Sequence, residues 1–448
     1  FECPQHNFEE MYYYRWWSIR KHIKETPVGY GMTEFLVQRS YSDKYNLIAC
    51  AIGHHIYESR WLRDPKYLDQ IIHTWYRGND GGPMKKMDKF SSWNADAVLA
   101  RYMVDGDKDY LLDMKKDLET EYQRWERTNR LKNGLYWQGD VQDGMEESIS
   151  GGRRKKYARP TINSYMYGNA KALSCIGILS GDEGMAMKYG MRADTLKNLV
   201  ENELWNTRHQ FFETMRTDSS ANVREAIGYI PWYFNLPDTA QKYEIAWKEI
   251  MDAKGFSAPY GLTTAERRHP EFRTRGVGKC EWDGAIWPFA SAQTLTAMAN
   301  FMNNYPQTVL SDSVYFRQME LYVESQYHRG RPYIGEYLDE VTGYWLKGDQ
   351  ERSRYYNHST FNDLIITGLI GLRPRLDNTI EVNPLIPADK WDWFCLDNVL
   401  YHGHNLTILW DKNGDRYHCG KGLRIFVDGK EVGHTDTLTR IVCENVLK

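Results

Sequence analysis

From the start of the chain to about residue 373, apolar positions recur every three to four residues, the spacing of a buried helix face. "SSWNADAVLARYMV" puts Trp93, Ala97, Ala100 and Val104 on one stripe, with Ser92 as the expected N-cap. "RPTINSYMYGNAKALSCIGILSGD" puts Ile162, Met166, Ala170, Leu173 and Gly177 on another and should stop at Gly181. The same reading predicts about eleven or twelve helices, centred near residues 13, 50, 70, 98, 117, 170, 192, 243, 293, 317 and 364. Beyond about residue 375 the period becomes two. Leu406, Ile408 and Trp410 share one strand face, and Leu423, Ile425 and Val427 another. Asn413-Gly414 and Asp428-Gly429 are hairpin turn signals.

Helices in hairpin pairs, joined by loops of very unequal length, suggest an (α/α)6 toroid over residues 1–375. A small antiparallel, sandwich-like β domain over 376–448 would follow it. A helical solenoid is the alternative, but no fixed-period repeat is evident. The longest loops, 133–160, 206–236, 254–282 and 328–356, hold most of the unusual Gly, Trp and acidic residues.

Composition narrows the function. The 448 residues carry 57 Lys+Arg against 60 Asp+Glu, so there is no basic surplus of the kind that marks nucleic-acid binding. No apolar run approaches the roughly 20 residues of a membrane span. The start, "FECPQHNF", has no leader, and a periplasmic or secreted setting is slightly favoured over a cytoplasmic one. Seven scattered cysteines without a CxxC read as buried free thiols. His54 and His55 are adjacent and cannot share a helix face, so "HHIYE" reads as structural. No cofactor or metal is expected, and the oligomeric state is open. The 16 Trp and 32 Tyr are the stronger signal, because many sit in polar, loop-like stretches such as "YYYRWW", "YWQGD" and "EWDGAIWPF". A flat apolar ring with a polar tip suits a sugar face, which makes carbohydrate the expected partner.

Hydrolysis of a glycosidic bond typically needs two carboxyls on opposite sides of the sugar. "QDGMEESIS" (142–150) crowds Asp143, Glu146 and Glu147 around Gly144. Mutual repulsion there raises the pKa of one member, as a general acid requires. "YIGEYLDEVTGYW" (333–345) offers Glu336, Asp339 and Glu340 between aromatics. Taken alone, either stretch also reads as a solvated acidic loop.

The order of motifs resembles the (α/α)6-barrel glycosidases that include trehalases, processing α-glucosidases and mannosylglycerate hydrolases. "QDGMEESIS" resembles the group's ESGMDNSPR or ESGWD segment, with Glu146 at the position of the acid. Here the acid would be Glu instead of Asp, and Gln142-Asp143 replaces Glu-Ser, so Asp143 is a competing candidate. "ELWNTRHQFFETM" resembles LW(D/N)…GFF, and "FSAPYGLTT" resembles the YGL loop. "CEWDGAIWPF" resembles YWRGPVWP, with Asp283 in place of an Arg. "GEYLDEVTG" resembles ENYNPLTG and places Glu336 at the base. The resemblance covers most of residues 90–390.

It implies an exo-acting, inverting glycoside hydrolase in which Glu146 protonates the leaving oxygen and Glu336 activates water. Trp16, Trp17, Trp137, Trp282 and Trp287 would wall the sugar pocket, with Arg15, Asn94 and Asp283 as hydroxyl partners. A polysaccharide lyase, a sugar epimerase relying on His, or a non-catalytic carbohydrate-binding protein on a similar toroid are the competing readings.

Overall fold

The computed structural model describes residues 1–239 and 241–447. It is mostly helical, with antiparallel strands concentrated toward the C-terminus. Among the described residues eleven α-helical segments run in order: α1 His6–His22, α2 Ile52–Ser59, α3 Pro65–Arg77, α4 Asn94–Asp105, α5 Lys108–Asn129, α6 Pro160–Ser180, α7 Glu183–Leu199, α8 Ile230–Tyr233, α9 Pro288–Asn304, α10 Asp312–Ser325 and α11 Asn362–Leu364. A 3₁₀ stretch at Gln241–Ile250 accounts for the period seen near residue 243, and α11 continues as a π-turn over Ile365–Leu369. The first part is less purely helical than the periodicity suggested. A ribbon of Ile23–Thr26 with Gly29–Met32 follows α1, and the long loops fold into others, such as Trp137–Gln138 with Tyr157–Ala158.

The helices fall into two kinds. In α2, α4, α6 and α9 most residues are buried on every side. The helices that follow three of these, α3, α5 and α7, bury one stripe and expose the rest. A helix buried all round must be surrounded by other elements. The packing agrees: α2 touches α4, α4 touches α6, α6 touches α8, α8 touches α9, α9 touches α11, and α11 returns to α2.

Local chemistry sets the ends. Gly181, at φ +70°, ends α6 where the sequence predicted, its N–H bonding back to Gly177 and Ile178. Ser92 is not a cap: α4 begins at Asn94, and the Ser92 carbonyl instead accepts from Asn169 Nδ2 at 3.1 Å. Asp64, Asp107 and Asp182 do cap α3, α5 and α7.

Near the C-terminus, strands Trp393–Tyr401, His404–Asp411, Gly422–Val427 and Lys430–Thr435 form one antiparallel meander, while Ile380–Val382 pairs with Ile441–Cys443. Asp428-Gly429 is the two-residue hairpin turn expected, with positive φ at both residues. Asn413-Gly414 is not: it lies within a ten-residue connection spanning 412–421 between two strands. There Asp411 draws the chain back by accepting from the N–H groups of Gly414, Arg416 and Tyr417. The two expected strand faces, Leu406/Ile408/Trp410 and Leu423/Ile425/Val427, are buried.

The sheet docks on the helices through Trp391. Its fully buried ring packs against Phe8 of α1 and Phe316 of α10, and its Nε1 donates to Gln5 at 2.7 Å. Trp391→Ala is expected to cost about 3–5 kcal/mol of unfolding free energy, by cavity formation and the lost hydrogen bond. Urea unfolding would measure it. A loss under about 1 kcal/mol would mean the sheet does not depend on this contact.

Candidate active site

The loop carrying "QDGMEESIS" is shaped by separate partners for each carboxylate. Asp143 is fully buried. It pairs with Arg159 Nε at 2.6 Å and accepts from the hydroxyls of Ser91 and Thr161, which ties the loop to the start of α6. Glu147, at φ +68°, turns away to pair with Arg153. Gly144 sits between them at φ +71°, and a Cβ there would lie 2.4 Å from Cys50 Sγ. Only glycine allows both that turn and that approach. With its neighbours so fixed, Glu146 alone is presented to a cavity.

That cavity, of about 350 Å³, is lined by both Glu146 and Glu336, together with Glu34, Tyr41, Lys89, Cys280, Trp287, Arg352 and Tyr356. Glu336 arrives from the far loop. A bridge between Leu338 and Ile286 sets the loop's register, and Tyr337 stacks on Trp287 at 4.6 Å, which in turn stacks on Trp282 at 4.3 Å. Lys347 and Arg352 approach Glu336 Oε2 at 3.5 and 3.3 Å. Burial pushes the Glu146 carboxyl up to about 7, and the negative charge of Glu336 adds to the effect. A carboxyl titrating there still holds its proton near neutral pH, as a proton donor must.

Glu34 is a third carboxyl in this wall and was not anticipated. Tyr356 Oη donates to its Oε1 at 2.6 Å, while Oε2 is buried without a partner. Asn357 stitches the two segments together, its N–H donating to the Glu34 carbonyl and its Nδ2 to that of Thr33. Burial pushes Glu34 up to about 8, against the Tyr356 hydrogen bond, with Glu336 and Glu146 adding repulsion. Its folded pKa is therefore above its unfolded value of 4.5. The stability due to its protonated form is complete below pH 4.5 and is lost as pH rises through about 8. Glu34→Gln mimics the protonated form. Relative to wild type, this variant should gain about 1–3 kcal/mol of unfolding free energy between pH 5 and pH 8. Denaturant titrations at the two pH values would measure the difference. An unchanged gap would show that Glu34 titrates normally.

Of the residues expected from sequence, Glu146, Glu336 and Trp287 line the cavity, and Trp282 backs it through the stack. Asp143 lies outside it, held by Arg159. Arg15 is buried between elements, bonded to Gln326 and Ser359. Asn94 donates to Glu121 on α5. Asp283 is fully buried, and its Oδ2 accepts from the N–H groups of Arg275 and Gly276, which shapes a loop behind the wall. Trp137 is covered by Lys156 at 4.3 Å, Trp16 lines a separate surface depression, and Trp17 faces another groove. These side chains are fixed by local packing that residue type alone does not reveal.

Behind the cavity His54 lies edge-on to Trp93 and Phe289, and His358 packs on Tyr356; burial holds both well below the usual imidazole range. They are uncharged packing groups. Among the described residues no three His, Cys, Asp or Glu side chains converge as metal ligands, and no helix is long and apolar enough to cross a membrane.

Comparison with known proteins fits this geometry. Residues 372–434 match the C-terminal domain of glycosyl hydrolase family 65. A solved structure described as "Sialidase" is 95% identical over 99% of this chain, with a TM-score of 0.99; this chain spans only 41% of that one. The GH63 mannosylglycerate hydrolase from Thermus thermophilus, in complex with glucose, shares the fold at a TM-score of 0.57 and 13% identity, over 80% of this chain and 99% of that one. The GH78 family rhamnosidase of Bacillus sp. GL1 does so at 0.59 and 11%, over 95% and 41%. Residues 44–359, which contain both carboxylate loops, match the mannosylglycerate hydrolase MGH1-like glycoside hydrolase domain, so the chain belongs to that family.

Proposed function

We propose that residues 1–375 form an (α/α)6 toroid, with residues 376–448 as a β domain that leaves the chemistry to it, and that the toroid removes a terminal sugar with inversion. The return of α11 to α2 supports the closed ring. The observation that carries the chemistry is the meeting of Glu146 and Glu336, from loops far apart in sequence, in one small pocket, with burial keeping Glu146 protonated near neutral pH. Glu146 donates its proton to the leaving oxygen, and Glu336 takes one from a water that attacks the opposite face. A cavity of about 350 Å³ is at the small end for ligand sites, which favours a chain end over the middle of a polymer. Trp287 supplies the flat wall. Incubation with a panel of synthetic glycosides and plant polysaccharide fragments, followed by NMR of the first-formed sugar, tests this. A product with the substrate's own anomeric configuration would rule out inversion. Release of internal fragments would rule out exo action.

One observation favours a second reading. The Tyr356 hydroxyl and Glu34 form a tyrosine–carboxyl pair in the same pocket, and sialidases use a tyrosine nucleophile. Burial, followed by the charge of Glu34, holds Tyr356 well above its usual range, which argues against an activated phenol at neutral pH. Tyr356→Phe separates the two: loss of turnover with a retained anomer would favour the tyrosine route.

A further inference from the structure

We infer that a groove on the other side of the 348–356 loop is an accessory binding site for an anionic, uronate-bearing oligosaccharide. That loop is a two-sided wall. Arg352 and Tyr356 line the catalytic cavity, whereas Glu351, Arg354 and Tyr355 line a separate groove of about 1090 Å³. The opposite bank of the groove is α1. Tyr14, Trp17 and Lys21, spaced three and four residues apart, share one helix face. Trp17 is 47% exposed, a large uncovered area for an indole in the middle of a helix. It packs against Tyr14 at 5.6 Å and edge-on to Tyr355 at 5.3 Å, so the aromatic strip is continuous across the groove.

The charges around this strip are unbalanced. Lys21 lies 4.0 Å over the Trp17 ring, Arg354 lies 4.7 Å over Tyr355, and Arg331 stands on the rim. Among the described residues none of these three has a carboxylate within ion-pair distance. Asp349 is already held by Arg329 at 2.8 Å, His328 at 3.4 Å and the Tyr344 hydroxyl at 2.6 Å. Glu351 is the one other acid lining the groove. A protein of net charge −3 thus gathers cations at one place around a half-exposed indole, with Lys21 over the Trp17 ring and Arg354 over Tyr355. Rings stack on sugar faces, and guanidinium groups bind carboxylates in a bidentate fork. A nucleic acid fits less well, because the chain's overall charge would repel it. The groove is a feature of its own and does not depend on which carboxyl is the catalytic acid.

The test is calorimetric titration of the full chain with an α-1,4-linked galacturonate trimer and with its carboxyl-reduced neutral counterpart, at pH 7. Binding of the charged trimer, weakened at least about tenfold by Trp17→Ala and by Arg354→Ala and left unchanged by Glu336→Gln, supports the site. Circular dichroism of the two groove variants confirms that they fold. Three results would overturn the proposal. These are no binding of the charged trimer, equal binding of the neutral one, or binding lost only in Glu336→Gln, which would place the ligand in the catalytic cavity.

Discussion

Glu146→Gln and Glu336→Gln are each expected to lower kcat by at least about a hundredfold, the low end for general acid–base catalysis. They should do so in distinguishable ways. Glutamine at 146 fills the same space but has no proton to donate. The deficit should therefore shrink on a substrate with an activated aryl leaving group, which departs without protonation. Glutamine at 336 cannot take a proton from water, and its deficit should persist on both substrates. The pH profile gives an independent reading. Because Glu146 titrates near 7, its acidic form is lost above that pH. Wild-type kcat/KM should fall on the alkaline side of about 7, and Glu146→Gln should lack that limb. If the alkaline limb survives in Glu146→Gln, another group is the acid. If Glu336→Gln recovers on the activated substrate, the two roles are reversed.

How far the sequence carried this depended on the kind of signal. Helix positions are periodic and local, and the centres near 13, 70, 98, 117, 170, 192, 293 and 317 all fall inside long helices. The turn at Asp428-Gly429 was readable because two positive φ angles need those residue types. The Asn413-Gly414 turn failed because Asp411 pulls a longer loop onto itself, a contact no dipeptide encodes. The same division holds in the site. Glu146 and Glu336 stood out because each sits in a motif with an order and neighbours. Glu34 had no such setting: in "MTEFLV" it is one carboxyl in an apolar run, and its place in the same cavity as Glu336 depends on hydrogen bonds from Asn357, more than three hundred residues away, to the carbonyls of Glu34 and Thr33. Its one signal was that mismatch of charge and surroundings. The tryptophans misled for the opposite reason. Composition showed that rings were abundant, but whether a ring faces the cavity, the core or the outer groove is fixed by packing.

The cluster that began as three neighbouring carboxylates yields the other large expected effect, on stability. Asp143 and Arg159 are both fully buried, and Arg159 has few other acceptors: its Nη1 reaches Ser150 Oγ at 3.2 Å and its Nη2 has none. Removing the carboxylate leaves a buried guanidinium charge with no carboxylate in contact, only the more distant charges of Glu225 and Asp140. Asp143→Ala should therefore cost about 3–5 kcal/mol of unfolding free energy. Asp143→Asn keeps one acceptor oxygen, enough for Ser91 or Thr161 but not both, and loses the charge; it should fall between Asp143→Ala and wild type. Glu146→Gln touches no such pair and, as a mimic of the protonated form, should unfold at no lower a denaturant midpoint than wild type while losing turnover. The two neighbours thus separate by readout, one through stability and the other through kcat. Urea unfolding and initial rates on the same preparations measure both. The assignment fails if Asp143→Asn unfolds like wild type yet is inactive, because Asp143 would then be doing chemistry. It fails equally if Asp143→Ala costs less than about 1 kcal/mol, because the buried charge would then have found another partner.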